Sequence, residues 1–281
     1  MSKQKEIISQ VTSALKMTNA ERLADGGQKS VWKGIFNGAP AVAKIIFLSG
    51  NPVNDQVTII RAQREVDLLR NIDSPQVVRP FTELIVIGDP PQALSWIEEW
   101  LDGSDLTAHL HRQFTSDEAW KLIIDLAKGL KEIHNLAVVH RDLSPSNVRL
   151  KSDGSYVLMD PGFARYLAKT TLTGISQPGT LGWRSPEHIP GGEPVPSSDI
   201  FCLGILAFYC LTGQLPFDIK KEIVDHEFEL QNCQAPSVAS YRFDLDQELV
   251  AMIDKCLQRE PSRRFSNGAE LLGELKTLRK I

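Results

Sequence analysis

The chain has 281 residues, of which 42% are hydrophobic and 23% charged, with a formal net charge of −4. That is the profile of an ordinary globular protein, long enough for one large domain or two modest ones. It lacks the basic field of a nucleic-acid binder, and no run approaches the roughly 20 apolar residues that cross a bilayer, so neither nucleic acid nor membrane is expected as a partner. Cys202, Cys210, Cys233 and Cys256 form no CxxC pair, which leaves zinc and redox motifs without support and makes a reduced, cytoplasmic setting the default.

The opening residues contain no hydrophobic run of the secretory kind. Ile7, Ile8, Val11 and Leu15 share one stripe, which predicts an amphipathic helix within an N-terminal extension over residues 1–19. Short strand-like runs follow at Val31–Ile35, Ala41–Phe47, Phe81–Ile87 and Leu94–Trp100, separated by Gly, Asn and Pro turns. One helical pattern interrupts them, with Ala62, Glu65, Val66 and Leu69 at i, i+3, i+4, i+7 spacing. Beyond Asp102-Gly103-Ser104 long helices take over. Thr115 and Glu118 make a capping box for a helix whose apolar face carries Ala119, Leu122, Ile123, Leu126, Leu130 and Ile133. The segment Ser198–Thr212 is apolar nearly all round, so it should be buried, and Gly213 is placed to stop it. The order predicts an α+β chain in two lobes. A small antiparallel sheet with one helix spans residues 20–100, and a larger, mainly helical lobe spans 101–279.

Several polar residues stand where structure alone does not require them. Lys44 ends the run Ala41-Val42-Ala43, where a lysine is ordinarily a solvent-facing residue. Glu65 lies on the apolar stripe of the following helix, and an inward carboxylate is costly unless paired. A Lys44–Glu65 pair answers both objections. Further on, His140-Arg141-Asp142-Leu143-Ser144-Pro145-Ser146-Asn147 precedes a hairpin of Val148–Leu150 and Tyr156–Met159, and Asp160 follows at once. The hairpin brings Asn147 and Asp160 together, giving an amide oxygen and a carboxylate suited to a hard cation such as Mg2+. Each residue alone is as well explained by capping a turn.

Together, in this order, Lys44, Glu65, Asp142, Asn147 and Asp160 follow the protein-kinase signature, and the chain resembles eukaryotic-type protein kinases from about Leu23 to Phe265. Gly179 to Glu187 looks like the stretch ending in the family's Ala-Pro-Glu. Asp199 to Gly204 resembles its Asp-x-x-x-x-Gly helix, and Leu211–Phe217 and Pro261–Arg264 match later landmarks. The resemblance implies a two-lobed protein-kinase-like fold that moves the γ-phosphoryl group of ATP to Ser or Thr hydroxyls of a protein substrate. In it Asp142 is the base, Asn147 and Asp160 hold Mg2+, and Lys44, steadied by Glu65, contacts the α- and β-phosphates. It further implies that Leu23, Ala24, Asp25, Gly26, Gly27, Gln28, Val31 and Val42 line the nucleotide, and that Glu99 and Leu101 offer backbone groups to adenine. Glu187 is expected to brace Arg264, and Gly179-Thr180 carries the Ser/Thr preference. Arg141 is expected to meet a phosphate on Thr170, Thr171, Thr173 or Ser176, although a hydroxyl cluster in a loop is equally a solvated turn.

The chain departs from the family pattern in places. Ala24 and Lys29 replace the first and third glycines of the phosphate loop, although Lys29 could itself touch phosphate. Ser144 stands where a lysine is usual, and Pro161 replaces the phenylalanine of Asp-Phe-Gly. Glu98 falls at the gatekeeper position and Arg149 at the floor of the adenine slot, where two charges should pair with each other, unless the strand register is off by one and Arg149 faces water. The reading is therefore an ATP- and Mg2+-dependent Ser/Thr kinase. The alternative is a pseudokinase or nucleotide-binding scaffold with weak or no phosphoryl transfer. A kinase of small molecules fits less well, because such enzymes lack the Ser-Pro-Glu and Asp-x-x-x-x-Gly elements present here.

Overall fold

The amphipathic stripe at the N-terminus folds as α1 (Lys3–Ala14), with Ile7, Val11 and Leu15 buried. The computed structural model describes residues 3–26, 29–161, 165–166, 180–189, 192–219 and 222–279. It divides into two units, Met1–Asp73 with Val78–Asp102, and Ser74–Val77 with Gly103–Ile281.

In the first unit β1 (Thr18–Gly26), β2 (Lys29–Phe36), β3 (Ala39–Phe47), β4 (Ile85–Ile87) and β5 (Ala93–Glu99) form one antiparallel sheet in the order β1-β2-β3-β5-β4. Asn37 and Gly38, both at positive φ (50° and 81°), turn the β2–β3 hairpin, as a two-residue Asn-Gly link should. Helix α2 (Pro52–Arg70) starts where the Asn51 side chain accepts from the amides of Val53 and Asn54, with Pro52 in the first turn.

Both faces of the sheet are covered, which explains why β5 is buried along almost its whole length. Side chains alternate between the faces with a period of two. Ala41, Ala43, Ile45, Ala93 and Ile97 pack against Ile7, Val11 and Leu15. Ile46, Leu94 and Trp96 pack against Ala62 and Val66 of α2. By that alternation Val42, Lys44 and Glu98 belong to the α2 face.

The expected strand Phe81–Ile87 shrinks to Ile85–Ile87. The amides of Phe81 and Thr82 converge on the single carbonyl of Ile97 (2.7 and 3.4 Å), a turn that follows Pro80 and cannot extend a ladder. Strand β1 lies outside the strand-like runs of the sequence; its first half precedes the glycine-loop motif.

In the second unit β6 (Ser104–Asp105), β8 (Val148–Leu150) and β9 (Tyr156–Leu158) form a three-stranded sheet, while β7 (Val138–Val139) pairs with β10 (Arg165–Tyr166). Helix α3 (Ser116–Asn135) opens with the expected Thr115–Glu118 capping box and packs on α4 (Pro196–Thr212) and on α7 (Gly268–Arg279). Helices α5 (Ile223–Asn232) and α6 (Gln247–Cys256) lie between α4 and α7 in sequence. Nearly every residue of α4 is buried, and Gly213 ends it in the left-handed conformation at φ 72°. A glycine inside α3 has a specific cause. A Cβ on Gly129 would stand 2.9 Å from the carbonyl of Gln76 and 2.7 Å from Leu158, so its absence lets residues 74–77 dock on the helix. No described helix is long and apolar enough to cross a membrane.

Because α1 and Leu15, which follows it directly, contribute buried side chains to the sheet's core, Leu15→Ala should lower unfolding free energy by about 2–4 kcal/mol. Urea denaturation would show this as a lower midpoint at unchanged slope; a loss below about 1 kcal/mol would mean that α1 is only loosely attached.

Candidate active site

In the first unit the charged residues of the α2 face form a ladder. Register puts Lys44 directly opposite Val31 on one side and Trp96 on the other, and Val42 opposite Glu98. Glu98 is therefore a diagonal neighbour of Lys44, within reach of a long side chain. Lys44 Nζ lies 3.0 Å from Glu98 Oε2 and 3.7 Å from Glu65 Oε1, while Lys29 Nζ lies 3.4 Å from Glu65 Oε2. Trp96 Nε1 donates to Glu98 Oε1 at 2.7 Å, and both ammonium groups stand within 6 Å of the Trp96 ring (5.7 and 5.9 Å). Lys44, Glu65 and Glu98 are all buried. The expected Lys44–Glu65 pair is thus present, but Lys44 has a nearer carboxylate on its own sheet.

Other residues expected to line the nucleotide are placed unevenly. Leu23 and Ala24 lie on β1, where Ala24 faces Val31 across the hairpin, and Asp25 and Gly26 end the strand opposite Ser30 and Lys29. Gly27 and Gln28 lie outside the described residues. Glu99 has its amide on the carbonyl of Arg79 (2.9 Å) and its carboxylate on the amide of Arg79 (2.8 Å), and Leu101 is buried.

The second unit is organised around Asp199 of α4. This fully buried carboxylate accepts from the amides of His140 (2.8 Å) and Arg141 (3.0 Å) and from His134 Nε2 (2.9 Å). His134 Nδ1 accepts from the amide of Gly268 (3.0 Å), so its proton sits on Nε2, facing Asp199. Burial pushes the Asp199 carboxyl up, and the His134 bond, helped by His140 and the Arg141 amide, outweighs it and holds it below the usual carboxylate range.

The loop that Asp199 grips presents the polar cluster. His140 Nδ1 accepts from the amide of Asp142 (3.3 Å), so its Nε2 donates to the carbonyl of Met159 (3.2 Å). The Asn147 amide group donates to both the carbonyl and Oδ2 of Asp142 (2.8 Å each). With its NH2 turned that way, the side-chain oxygen of Asn147 faces away from Asp142. The hairpin pairs as expected: Val148 faces Leu158, and the amide of Met159 donates to the carbonyl of Asn147 at 2.8 Å. Asp160 follows immediately, in the left-handed region at φ 54°. Asp142 Oδ1 accepts from the amide and the hydroxyl of Thr180 (3.0 Å each). Asn147 and Asp160 are oxygen donors of the kind Mg2+ prefers, so the donor set fits that ion.

Glu98 and Arg149, the two charges expected at the adenine slot, each have a partner inside their own unit. Glu98 uses both oxygens on Trp96 and Lys44, and Arg149 donates to the carbonyl of Gly103 at 2.6 Å. Ser144 is buried, with its hydroxyl 3.0 Å from that of Ser146. Thr170, Thr171, Thr173 and Ser176 lie outside the described residues. The reading of the sequence missed His134 and the Thr180–Asp142 contact. A carboxylate in the largely apolar α4 is the available signal for the first, since it demands a set of buried donors.

The expected brace is present. Arg264 donates through both terminal nitrogens to Glu187 (2.9 Å each), and Ser198 adds a bond to Glu187 at 2.9 Å. Burial raises the Glu187 carboxyl, and Arg264 outweighs it, so it sits below its ordinary value. Beside it, burial pushes His188 down to about 4. Removing the guanidinium in Arg264→Met should cost about 3–5 kcal/mol, because it strands a buried carboxylate. Both shifts favour the proton-free form in the folded state, so their stabilisation is complete above the unfolded pKa values and is lost as pH falls. His188 should give a loss on the order of 3 kcal/mol, setting in below about pH 6.5 and complete near 4. Glu187 adds a further loss below about 4.5. Unfolding free energy measured against pH should therefore slope downward from pH 6.5. In His188→Gln that upper limb should flatten while the steeper limb below 4.5 persists; an unchanged upper limb would remove His188 as its source.

Comparison with known proteins agrees with this geometry. Residues 17–274 match the protein kinase domain family. The chain is similar to the probable serine/threonine-protein kinase PknB of Lactococcus lactis, 28% identical over 262 residues, covering 92% of this chain and 41% of that protein. It is also similar to the serine/threonine-protein kinase PknA of a Nostoc species (29% identical, covering 82% of this chain and 40% of that protein) and to PrkC of Bacillus subtilis (27% identical, 80% and 34%). The chain thus spans less than half the length of each of these relatives. Its matched region covers the sheet of the first unit and the Asp199-centred loop of the second, and the chain belongs to the protein kinase domain family.

Proposed function

We propose that this chain is a Ser/Thr protein kinase that uses ATP and Mg2+, with Asp142 as the catalytic base. The observation that carries the reading is the Asp142 carboxylate, held by Asn147 on one oxygen and by Thr180 on the other, on a loop fixed by Asp199. A carboxylate held in this way is oriented by donors that do not consume all its acceptor capacity, and it can take a proton from an incoming hydroxyl. The hydroxyl oxygen of a protein Ser or Thr attacks the γ-phosphorus as the bond to the β-phosphate oxygen breaks. The hydroxyl proton passes to Asp142, and ADP leaves. Lys44 steadies the α- and β-phosphates. Asn147 and Asp160 would hold Mg2+, which when bound offsets the phosphate charge. The preference for Ser or Thr hydroxyls is supported by the names of the relatives, which are serine/threonine-protein kinases.

The second reading is a nucleotide-binding scaffold. It is favoured by Ala24 and Lys29 in the β1–β2 hairpin and by Ser144 and Pro161. The two readings part in one experiment: transfer of labelled phosphate from ATP to a generic protein substrate, with and without Mg2+. Asp142→Asn keeps the side chain's size but turns one acceptor oxygen into an NH2 donor, so it gives up one of the two contacts that orient it and cannot accept the proton; the rate should fall about 100- to 10,000-fold with little change in the ATP concentration for half-maximal rate. Equal labelling by wild type and variant would reject the kinase reading. ATP-dependent thermal stabilisation with no transfer by either would establish the scaffold.

A further inference from the structure

The α2 face of the sheet carries more charge than a single Lys–Glu pair requires. Lys29, Glu65, Lys44 and Glu98 form a ladder of alternating sign in which Glu65 stands 3.4 Å from Lys29 and 3.7 Å from Lys44, and Glu98 stands 3.0 Å from Lys44. At 3.7 Å the Lys44–Glu65 contact is longer than a hydrogen bond, whereas the 3.0 Å contact with Glu98 is within that range.

We infer that Glu98 is the positioning residue for Lys44, holding the ammonium from within the sheet, while Glu65 is chiefly the counter-ion of Lys29. Glu98 is well suited to this. Its strand is hydrogen-bonded directly to that of Lys44, in the register Val42 to Glu98 and Lys44 to Trp96. Its other oxygen is pinned by the indole N–H of the fully buried Trp96 at 2.7 Å. Burial of both side chains keeps the attraction from being screened by water or salt. A carboxylate carried on α2, by contrast, moves with every shift of that helix against the sheet. Glu98 therefore sets the place of Lys44 by the ladder of backbone bonds that joins β3 to β5, and helix placement becomes secondary.

The role at the phosphates rests on the phosphoryl-transfer reading, but the Lys44–Glu98 coupling does not, and the two can be tested apart. Without nucleotide, the shift in thermal midpoint on combining Lys44→Met with Glu98→Gln should depart from the sum of the single shifts by more than for Lys44→Met with Glu65→Gln. Glutamine preserves side-chain size and an acceptor for Trp96; should it fail to fold, Glu98→Met serves in its place. With nucleotide, affinities for Mg2+·ADP and for adenosine are measured on the same variants. In Glu98→Gln the ADP-to-adenosine affinity ratio should fall about ten-fold, and in Glu65→Gln by less. A larger fall in Glu65→Gln, or equal losses for ADP and adenosine in Glu98→Gln, would overturn the assignment, the latter because Glu98 would then only shape the base slot. Strong Lys44–Glu98 coupling in a protein that binds no ADP would support the positioning contact while rejecting the kinase reading.

Discussion

One buried carboxylate organises the second unit. Asp199 lies in the most apolar helix of the chain, where an unpaired charge would be costly, and its oxygens are satisfied by the amides of His140 and Arg141 and by the imidazole of His134. Because two of these donors are backbone groups, the loop cannot drift without stranding the charge. Arg141 is held at φ 70°, a conformation that L residues rarely adopt, and the two amide bonds to Asp199 supply a reason for it to persist. From there the order spreads outward. The ring of His140 ties the amide of Asp142 to the carbonyl of Met159, and Asn147 closes the loop from the other side. Asp142, Asn147 and the start of the Asp160 segment thus share a single anchor.

The first unit solves its positioning problem by different means. There the fixed element is the sheet, and parity decides the chemistry. One face of β3 and β5 is spent on small and aliphatic residues against α1, and the other presents Lys44, Trp96 and Glu98. The backbone register fixes which charged side chains share that face, while Glu65 reaches it from the separate helix α2. That explains how the Lys44–Glu65 contact can be present and yet be the longer of the two.

Much of this was legible in the sequence because it depends on local spacing. The stripes of α1, α2 and α3, the Thr115 capping box and the Gly213 stop are all set within one or two helical turns. The hairpin that brings Asn147 to Met159 is announced by Ser152-Asp153-Gly154-Ser155. What remained hidden depends on registers and contacts far apart in the chain. The Glu98–Lys44 contact needs the β3–β5 register, fixed only when Ala41 meets Glu99 and Phe47 meets Ala93. Without that register, spacing along the chain gives no sign that Glu98 lies beside Lys44. The turn at Phe81–Thr82 was concealed because its residues favour strands in isolation and are overruled by Pro80 and by sharing one carbonyl. His134 resembled any other residue near the end of α3 until its two ring nitrogens were seen to join Gly268 to Asp199.

The departures from the family pattern in the first unit also take on a different character once the contacts are known. Lys29 in the place of a glycine and Glu98 at the gatekeeper position look, taken singly, like unrelated losses. Spatially they are the two ends of one ladder. Lys29 adds a positive charge beside Lys44 and Glu65, and Glu98 adds a negative one beside Lys44. With both present, each of the two lysines has a glutamate within 3.4 Å, Glu65 for Lys29 and Glu98 for Lys44. Each end therefore makes the other tolerable, which is the behaviour of a coupled electrostatic unit and differs from the independent loss of a phosphate loop and an adenine pocket.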